Sequence, residues 1–337
     1  MDALRYRRKL LALQLGLAVC IAGLGRAGLA QAQTCLGVAD MDEAARTALV
    51  STGKRYFDLA ARGDATALRQ NAIASVASDF SGIEASIKDN QSDLAGAQAT
   101  SRAPYLLKAE GTAPVERAEF LCGVFGTHGQ TTDSAVFVLN NLPPGNYGIV
   151  ILDVAAAKSP MTLSLVLQQQ GSDWKLGGFY VKAAQAAGHD GNWFADRARA
   201  FKAKAQMHNA WLYFFEARDL LSPLPFMNTM VTDKLFDESE SVKPSDLPPT
   251  DLSAGGKTFK LTSLFPQGVG KDFAVVVKYQ ASDISNTTQS YETNLTLTKA
   301  LVAKYPEFRD AFDGVVARAV DPSGRDYGSL VAMKDIK

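Results

Sequence analysis

The sequence predicts an α+β protein in which helices and antiparallel strands occupy separate stretches of the chain. Three observations lead to this class: an alanine-rich, helix-forming stretch at 42–94, a series of short segments rich in β-branched and aromatic residues at 118–182, and a return to helical periodicity after residue 191. A run of helices followed by a run of strands is typical of α+β folds, because parallel α/β folds alternate the two. We therefore expect N-terminal helices packed on an antiparallel sheet, a helical hairpin, and a small C-terminal ββαββ domain.

The first 32 residues have the organisation of a secretory signal. Basic residues at positions 5, 7, 8 and 9 precede an apolar run at 10–24, and small residues lead to the triplet Ala30-Gln31-Ala32. The run is shorter than the roughly 20 residues of a membrane span. We expect 1–32 to be a signal peptide removed after Ala32, and the exported protein to be periplasmic or extracellular with no stable membrane span. An uncleaved N-terminal anchor and a lipoprotein attached at Cys20 are the alternatives.

Removal of the signal leaves two cysteines, Cys35 and Cys122. Exported proteins meet an oxidising environment that favours disulfides, so we predict a bond between these two residues. The bond would close a loop of about 87 residues, for which chain-entropy estimates are roughly 4 to 5 kcal/mol. Two buried free thiols are the alternative.

Local signals place the elements of the first domain. The sequence Arg62-Gly63-Asp64 predicts the end of one helix and an acidic N-cap for the next, which covers 65–77. The predicted strands are 118–126, 133–141, 146–155, 161–170 and 173–182. Along 161–170 apolar and more polar residues alternate, so we expect that strand to have one face in a core and one more polar face.

This combination resembles a known superfamily. The helical segment YFDLAARGDATALRQNAIASVASDF, the strands after it and the segment DWKLGGFYVK are similar to the NTF2-like (cystatin-like) α+β cones. In that family a segment of the type F-x-A-L-x-x-G-D-x-x-A-L begins the fold, and G-x-W-K-I-x-G-x-Y often forms its last strand. The resemblance covers about residues 40–183. It implies helices packed on a curved antiparallel sheet, with an internal pocket between them.

A β-sandwich is the alternative for the same region, because NLPPGNYGIVI resembles the corner of transthyretin-like and other exported sandwich modules. A sandwich has about seven strands, whereas about five are predicted here after two amphipathic helices. The strand count therefore favours the cone.

The second half of the chain divides into three predicted parts. Residues 192–236 begin with two helices, NWFADRARAFKAKAQ and HNAWLYFFEARDLLSP, whose small and large residues resemble one tetratricopeptide repeat. A repeat array needs about three copies and no second copy occurs at a period of 34, so we expect a lone hairpin packed on a neighbouring domain. Residues 237–256 are predicted to be a polar linker, and 257–337 a C-terminal α+β domain.

Several functions are excluded by composition and motifs. The chain has 35 basic and 35 acidic residues, which provides no net positive charge for a nucleic acid. No zinc-protease, nucleophile-elbow, P-loop or dinucleotide motif occurs, and the three histidines lack the spacing of metal ligands. We therefore expect no nucleic-acid partner, no cofactor and no metal site.

The pocket implied by the NTF2-like resemblance supplies the candidate site residues. Asp153 interrupts the apolar run IVILDVA, where burial would raise the pKa of its carboxyl group and make it a possible base. Tyr56 or Tyr105 would then act as hydrogen-bond donor in an isomerase-like or hydrolase-like enzyme. A strand-end Asp153 bonded to a backbone amide is the structural alternative.

The same pocket would serve a protein without catalysis if its walls were apolar. Aromatic residues suited to such walls are Phe57, Phe137 and Phe179. The absence of any catalytic motif favours this second interpretation. The leading hypothesis is an exported, non-catalytic protein that binds a small apolar ligand or a protein partner, and the enzyme is the alternative.

Overall fold

The computed structural model describes residues 33–156 and 158–337, so the predicted signal peptide lies outside the described residues. These residues form a mixed α+β protein with eight α-helices and 18 strands, most of them in antiparallel sheets. The predicted α+β class is confirmed. In the described part of the chain, no helix is both long and apolar enough to cross a membrane.

The α-helices are α1 (Glu43–Ala61), α2 (Ala65–Gln70), α3 (Ala74–Ser78), α4 (Ser81–Leu94), α5 (Gly191–Ala203), α6 (Met207–Leu221), α7 (Met230–Glu240) and α8 (Thr287–Lys304). The first nine strands are β1 (Gln33–Leu36), β2 (Gln98–Ser101), β3 (Tyr105–Ala109), β4 (Val115–Cys122), β5 (Phe125–Gly126), β6 (Gly129–Gln130), β7 (Ala135–Leu142), β8 (Gly145–Ala155) and β9 (Met161–Gln170). The other nine are β10 (Asp173–Ala183), β11 (Gln185–Ala186), β12 (His189–Asp190), β13 (Met227–Thr229), β14 (Thr250–Ala254), β15 (Lys257–Val269), β16 (Asp272–Gln280), β17 (Gly314–Val320) and β18 (Asp326–Ala332).

Side-chain caps and a glycine define the first helices. The Asp42 carboxylate accepts a hydrogen bond from the Ala45 backbone N–H at 2.7 Å and begins α1. Gly63 has a φ of 72°, which ends that helical run, and the Asp64 carboxylate then caps α2. The helix break predicted at 62–64 is therefore present.

These helices cover one face of a sheet with the strand order β1-β3-β8-β9-β10, in which β2 also pairs with β8. Leu49 and Phe57 of α1 pack in one cluster with Leu152 and Leu163 of the sheet. Along β9, Met161, Leu163, Leu165 and Leu167 all lie in this cluster, so the predicted core face of that strand is confirmed.

The opposite face of that sheet is covered as well, by a second sheet with the order β13-β7-β4. Phe120 and Phe137 of the second sheet pack with Ile149 and Ile151 of β8. The segments 118–126 and 133–141, predicted to continue one sheet, instead form this separate layer. On the face of β9 predicted to be more polar, Thr162 and Ser164 are buried, and the Ser164 hydroxyl donates to the Pro223 carbonyl at 3.1 Å.

A disulfide joins the two sheets. Cys35 lies in β1 and Cys122 ends β4, and their sulfur atoms are at bonding distance with Cα atoms 5.0 Å apart. This is the predicted pairing. It closes a separation of 87 residues and attaches the first described strand to the second sheet.

The C-terminal sheet has the order β14-β15-β16-β17-β18, and its β16 and β17 are parallel because α8 connects them. The core residues of α5, α6 and α8 belong to one cluster with this sheet. Phe194 and Tyr213 of the helical hairpin contact the Phe273 ring, with centroids 4.7 and 5.1 Å apart.

The segment 237–256 is more structured than its composition predicts. It contains the end of α7 and the whole of β14, in which Leu252 pairs with Phe259 of β15. A five-residue edge strand presents too short an alternation of apolar and polar residues to be recognised among serines and prolines.

Candidate functional site

Asp153 lies on the surface of β8 and not in an enclosed pocket. Its side chain is 54% exposed, and its carboxylate accepts hydrogen bonds from Arg102, from Nη2 at 2.6 Å and from Nε at 3.0 Å. Alternation along the strand places Asp153 on the same face as Ile149 and Ile151, beyond the part that the second sheet covers. The expectation of a desolvated carboxyl group at this position is therefore wrong.

Tyr56 and Tyr105 lie on opposite faces of the first sheet. The buried Tyr56 hydroxyl donates to the Trp174 carbonyl at 2.8 Å, which ties α1 to β10. Tyr105 is half-buried and contacts Phe137 edge to face, with ring centroids 5.1 Å apart. Burial raises the pKa of both phenols. The three predicted polar candidates do not converge on one cavity.

The three predicted aromatic residues are also divided between two layers. Phe57 and Phe179 pack between the helices and the first sheet, whereas Phe137 packs between the two sheets. Phe57 and Phe137 are core residues at 4% and 0% exposure. Phe179 alone among these three lines a cavity that opens to solvent.

That cavity belongs to a junction between β10 and the C-terminal end of α6. Lys182, near the end of β10, forms an ion pair with Asp219 at 2.9 Å and donates to the backbone carbonyls of Asp219 and Ser222. The last carbonyls of a helix lack helical partners and carry partial negative charge, so a lysine is favourable there. Cavities lie on both sides of this ion pair, and both are lined by Lys182 and Asp219.

The first cavity, which we call the apolar groove, has a volume of about 460 Å³. Its walls include large apolar side chains from β10, α6 and the segment after α6: Phe179, Phe215, Leu224 and Met227. Phe215 is 47% exposed beside this groove, and exposed apolar surface of this kind marks interaction sites.

Arg218 is the charged residue of the apolar groove that the rest of the described chain does not neutralise. Its guanidinium lies over the Phe236 ring at 4.9 Å, and no described carboxylate lies within ion-pair distance. Its Nε is buried without a hydrogen-bond acceptor among residues 33–156 and 158–337. A ligand cannot reach the buried Nε, but the two Nη atoms are not among the buried atoms, and a guanidinium without a described acidic partner can donate through them to an acidic group from outside the fold.

The second cavity, which we call the polar cavity, has a volume of about 630 Å³ and is lined by Glu216 together with Asp219, Lys158, Lys182 and Lys271. Glu216 is only 8% exposed, and its carboxyl group makes no hydrogen bond with the described residues. The pKa of Glu216 is raised to about 7, chiefly by burial and also by the nearby Asp219, while Lys182 lowers it.

The position of Glu216 in the helical pattern of α6 indicates that this residue is buried, although no sequence motif includes it. In α6 the buried residues Leu212, Tyr213 and Ala217 recur at helical spacing, and Glu216 falls on the same stripe. A charged residue on an apolar stripe is seldom buried without a reason, so this position was the detectable anomaly in the predicted hairpin.

A separate cluster at the beginning of α6 has its charges paired. His208 contacts Glu307 through Nδ1 at 3.0 Å and Asp246 through Nε2 at 2.8 Å. Burial alone would raise the pKa of Asp246, but hydrogen bonds from His208, Tyr305 and Lys304 lower it to about 2. Lys304 forms an ion pair with Asp246 at 3.2 Å, and no group of three or more side chains placed to hold a metal ion occurs within the described ranges.

Comparison of the chain with protein-family models, with curated proteins and with solved structures found no match. The candidate site therefore rests on the residues of the junction alone.

Proposed function

We propose that this is an exported, non-catalytic binding protein whose apolar groove takes a small ligand with an apolar body and one acid group. The observation that carries the proposal is Arg218, whose guanidinium has no described acidic partner and lies in a groove walled by Phe179 and Phe215. Such a groove combines the two properties of a ligand site: apolar walls and a polar group placed to fix orientation.

The position of Arg218 favours a carboxylate over an uncharged group. Stacking on Phe236 holds the guanidinium in place, so less conformational freedom is lost when a ligand binds. A hydrogen bond to a charged group contributes about 1.5 to 3 kcal/mol, which corresponds to about tenfold to 150-fold in affinity. The apolar walls add a contribution that depends on the area of the ligand that they cover.

Export is supported by the signal-like N-terminal sequence and by the Cys35–Cys122 pair, since disulfides persist in oxidising compartments. The enzymatic alternative at Asp153 has lost its basis, because that carboxylate is exposed and paired with Arg102. A non-catalytic role is therefore the better supported of the two hypotheses.

Three probes with the same alkyl chain test the proposal: octanoate, octan-1-ol and octylammonium, titrated by calorimetry. We expect octanoate to bind about tenfold more tightly than octan-1-ol, and octylammonium to bind more weakly than either in this groove. Arg218→Gln should remove the preference for octanoate and leave the affinity for octan-1-ol unchanged.

The matched control is Arg117→Gln on β4, a 60% exposed arginine that does not line the groove. It should not alter the affinity of any probe. Equal affinities for octanoate and octan-1-ol, or an Arg218→Gln variant that binds octanoate as the wild type does, would contradict the proposal. A protein that binds none of the three probes would point instead to a protein partner.

A further inference from the structure

We infer that the polar cavity is a second, independent ligand site, which takes a small zwitterion whose primary ammonium group is held by Glu216. The site lies on the other side of the Lys182–Asp219 ion pair from the apolar groove, and it does not depend on the function proposed for that groove.

Glu216 is buried and has no partner for its carboxyl group within the described chain. Glu216 as a residue is 8% exposed, it lines a cavity of about 630 Å³, and its carboxyl group has no hydrogen-bond partner in the described chain. An ionised carboxylate in such a position needs a positive charge or several donors to be stable.

The neighbouring lysines are engaged elsewhere. Lys182 is held by Asp219 and by the carbonyls at the end of α6, and Lys158 forms an ion pair with Asp93 at 2.9 Å. The described fold therefore holds an acid in a cavity with no counter-charge at ion-pair distance, since Lys182, which lowers its pKa from farther away, is paired with Asp219. A ligand is a direct source of that charge.

Three kinds of group could pair with the Glu216 carboxylate: a metal ion, a hydroxyl group or an ammonium group. A metal ion is disfavoured because the described residues contain no group of three or more side chains that could ligate it, and Asp219 is already paired. A hydroxyl group donates a hydrogen bond but brings no charge, so it would leave the carboxyl group protonated. A primary ammonium group brings one positive charge and three donors in a compact head, which matches a single buried carboxylate.

Lys271 provides a further positive charge at the edge of the polar cavity. Lys271, in the turn between β15 and β16, lines the cavity and forms no ion pair with a described carboxylate. It would repel a simple amine and attract an acid group on the same ligand. The charges of the cavity thus favour a molecule with an ammonium group at one end and an acid group at the other.

Proton release distinguishes this site from a general affinity for amines. The charged groups that face Glu216 are Asp219, Lys158, Lys182 and Lys271. An ammonium group stabilises the ionised form of Glu216, so binding to the protonated form transfers its proton to the buffer. Ligand affinity should therefore rise by about tenfold between pH 6 and pH 8, because the ionised fraction of a group that titrates near pH 7 rises by about that factor.

The probes are γ-aminobutyrate, butylammonium, butyrate and butan-1-ol, titrated by calorimetry in buffers of different ionisation enthalpy. We expect γ-aminobutyrate to bind best, butylammonium more weakly, and the other two least. At pH 7 about half a proton should be released for each γ-aminobutyrate bound. Lys271→Gln should reduce the preference for γ-aminobutyrate over butylammonium.

Glu216→Gln should abolish binding of both ammonium compounds together with the proton release, while its octanoate binding stays unchanged. Thermal unfolding verifies that this variant is folded. The matched control, Glu292→Gln on the exposed face of α8, should bind as the wild type does. The inference is overturned if γ-aminobutyrate fails to bind at up to about 100 mM, if it binds Glu216→Gln equally well, or if butan-1-ol binds as tightly.

Discussion

Replacement of Glu216 by glutamine should stabilise the protein at alkaline pH and have little effect in acid. In the unfolded chain this carboxyl group titrates near 4.5, whereas in the fold its pKa is raised to about 7. A raised pKa in the folded state means that the native protein binds the proton more tightly than the unfolded chain does. Its contribution to stability is complete below about pH 4.5 and is lost as the pH rises through about 7.

The magnitude follows from the size of the pKa shift. Each unit corresponds to about 1.4 kcal/mol, so a change from 4.5 to about 7 corresponds to about 3 kcal/mol at pH 8. Solvent screening reduces this value little because the residue is 8% exposed. Glutamine has nearly the same shape and no charge, so it keeps the packing and avoids the ionised state.

Urea unfolding of the wild type and of Glu216→Gln between pH 4 and pH 9 measures the difference. We expect the two free energies of unfolding to agree within about 1 kcal/mol near pH 4 and to diverge by about 3 kcal/mol at pH 8, with the variant more stable. Glu292→Gln, an exposed change, should give a small and constant difference. A constant difference for Glu216→Gln, or a variant less stable at pH 8, would refute the reasoning.

Three further perturbations test the fold. Replacing both Cys35 and Cys122 by serine should lower the free energy of unfolding by up to about 4 to 5 kcal/mol, and a reductant in the urea titration should reproduce the loss in the wild type and have no effect on the variant. Asn294→Ala should cost about 2 to 4 kcal/mol in the same assay, because its buried amide joins the Tyr279 hydroxyl and the Ala317 carbonyl, which would lose their partner. Asp153→Asn should cost less than about 1 kcal/mol, since its ion pair is exposed, and a larger loss would show that the carboxylate has a role that the geometry does not reveal.

Local signals account for the features that were predicted well. The break at 62–64 combines a glycine with positive φ and an aspartate cap, both of which act within a few residues. The strands at 161–170 and 173–183 follow from β-branched and aromatic residues on each side of a Gly-Ser turn. The cysteine pair needed only a count and an export signal to be proposed.

The residues of the candidate site were not predictable from the sequence. Asp153 interrupts an apolar run, and that pattern alone does not reveal that the covering sheet ends before this residue. The sequence predicts one pocket for Phe57 and Phe137, yet the two residues belong to different layers. Arg218 and Glu216 lie within the predicted helix HNAWLYFFEARDLLSP, and their significance depends on β10, which is distant in sequence and close in space.

The sequence by itself determined the α+β class, the order of most helices and strands, and the identity of the paired cysteines, because these depend on local conformational preference, periodicity and composition. Only the tertiary structure decided which strands share a sheet, that a second sheet buries the other face of β8 and β9, and that the end of α6 lies against β10. Pairing between strands and packing between layers join residues far apart in the chain, and no short-range pattern encodes which of the compatible partners meet. The burial of Glu216 and the guanidinium of Arg218, which is unpaired among the described residues, can be interpreted only when those distant elements are in place.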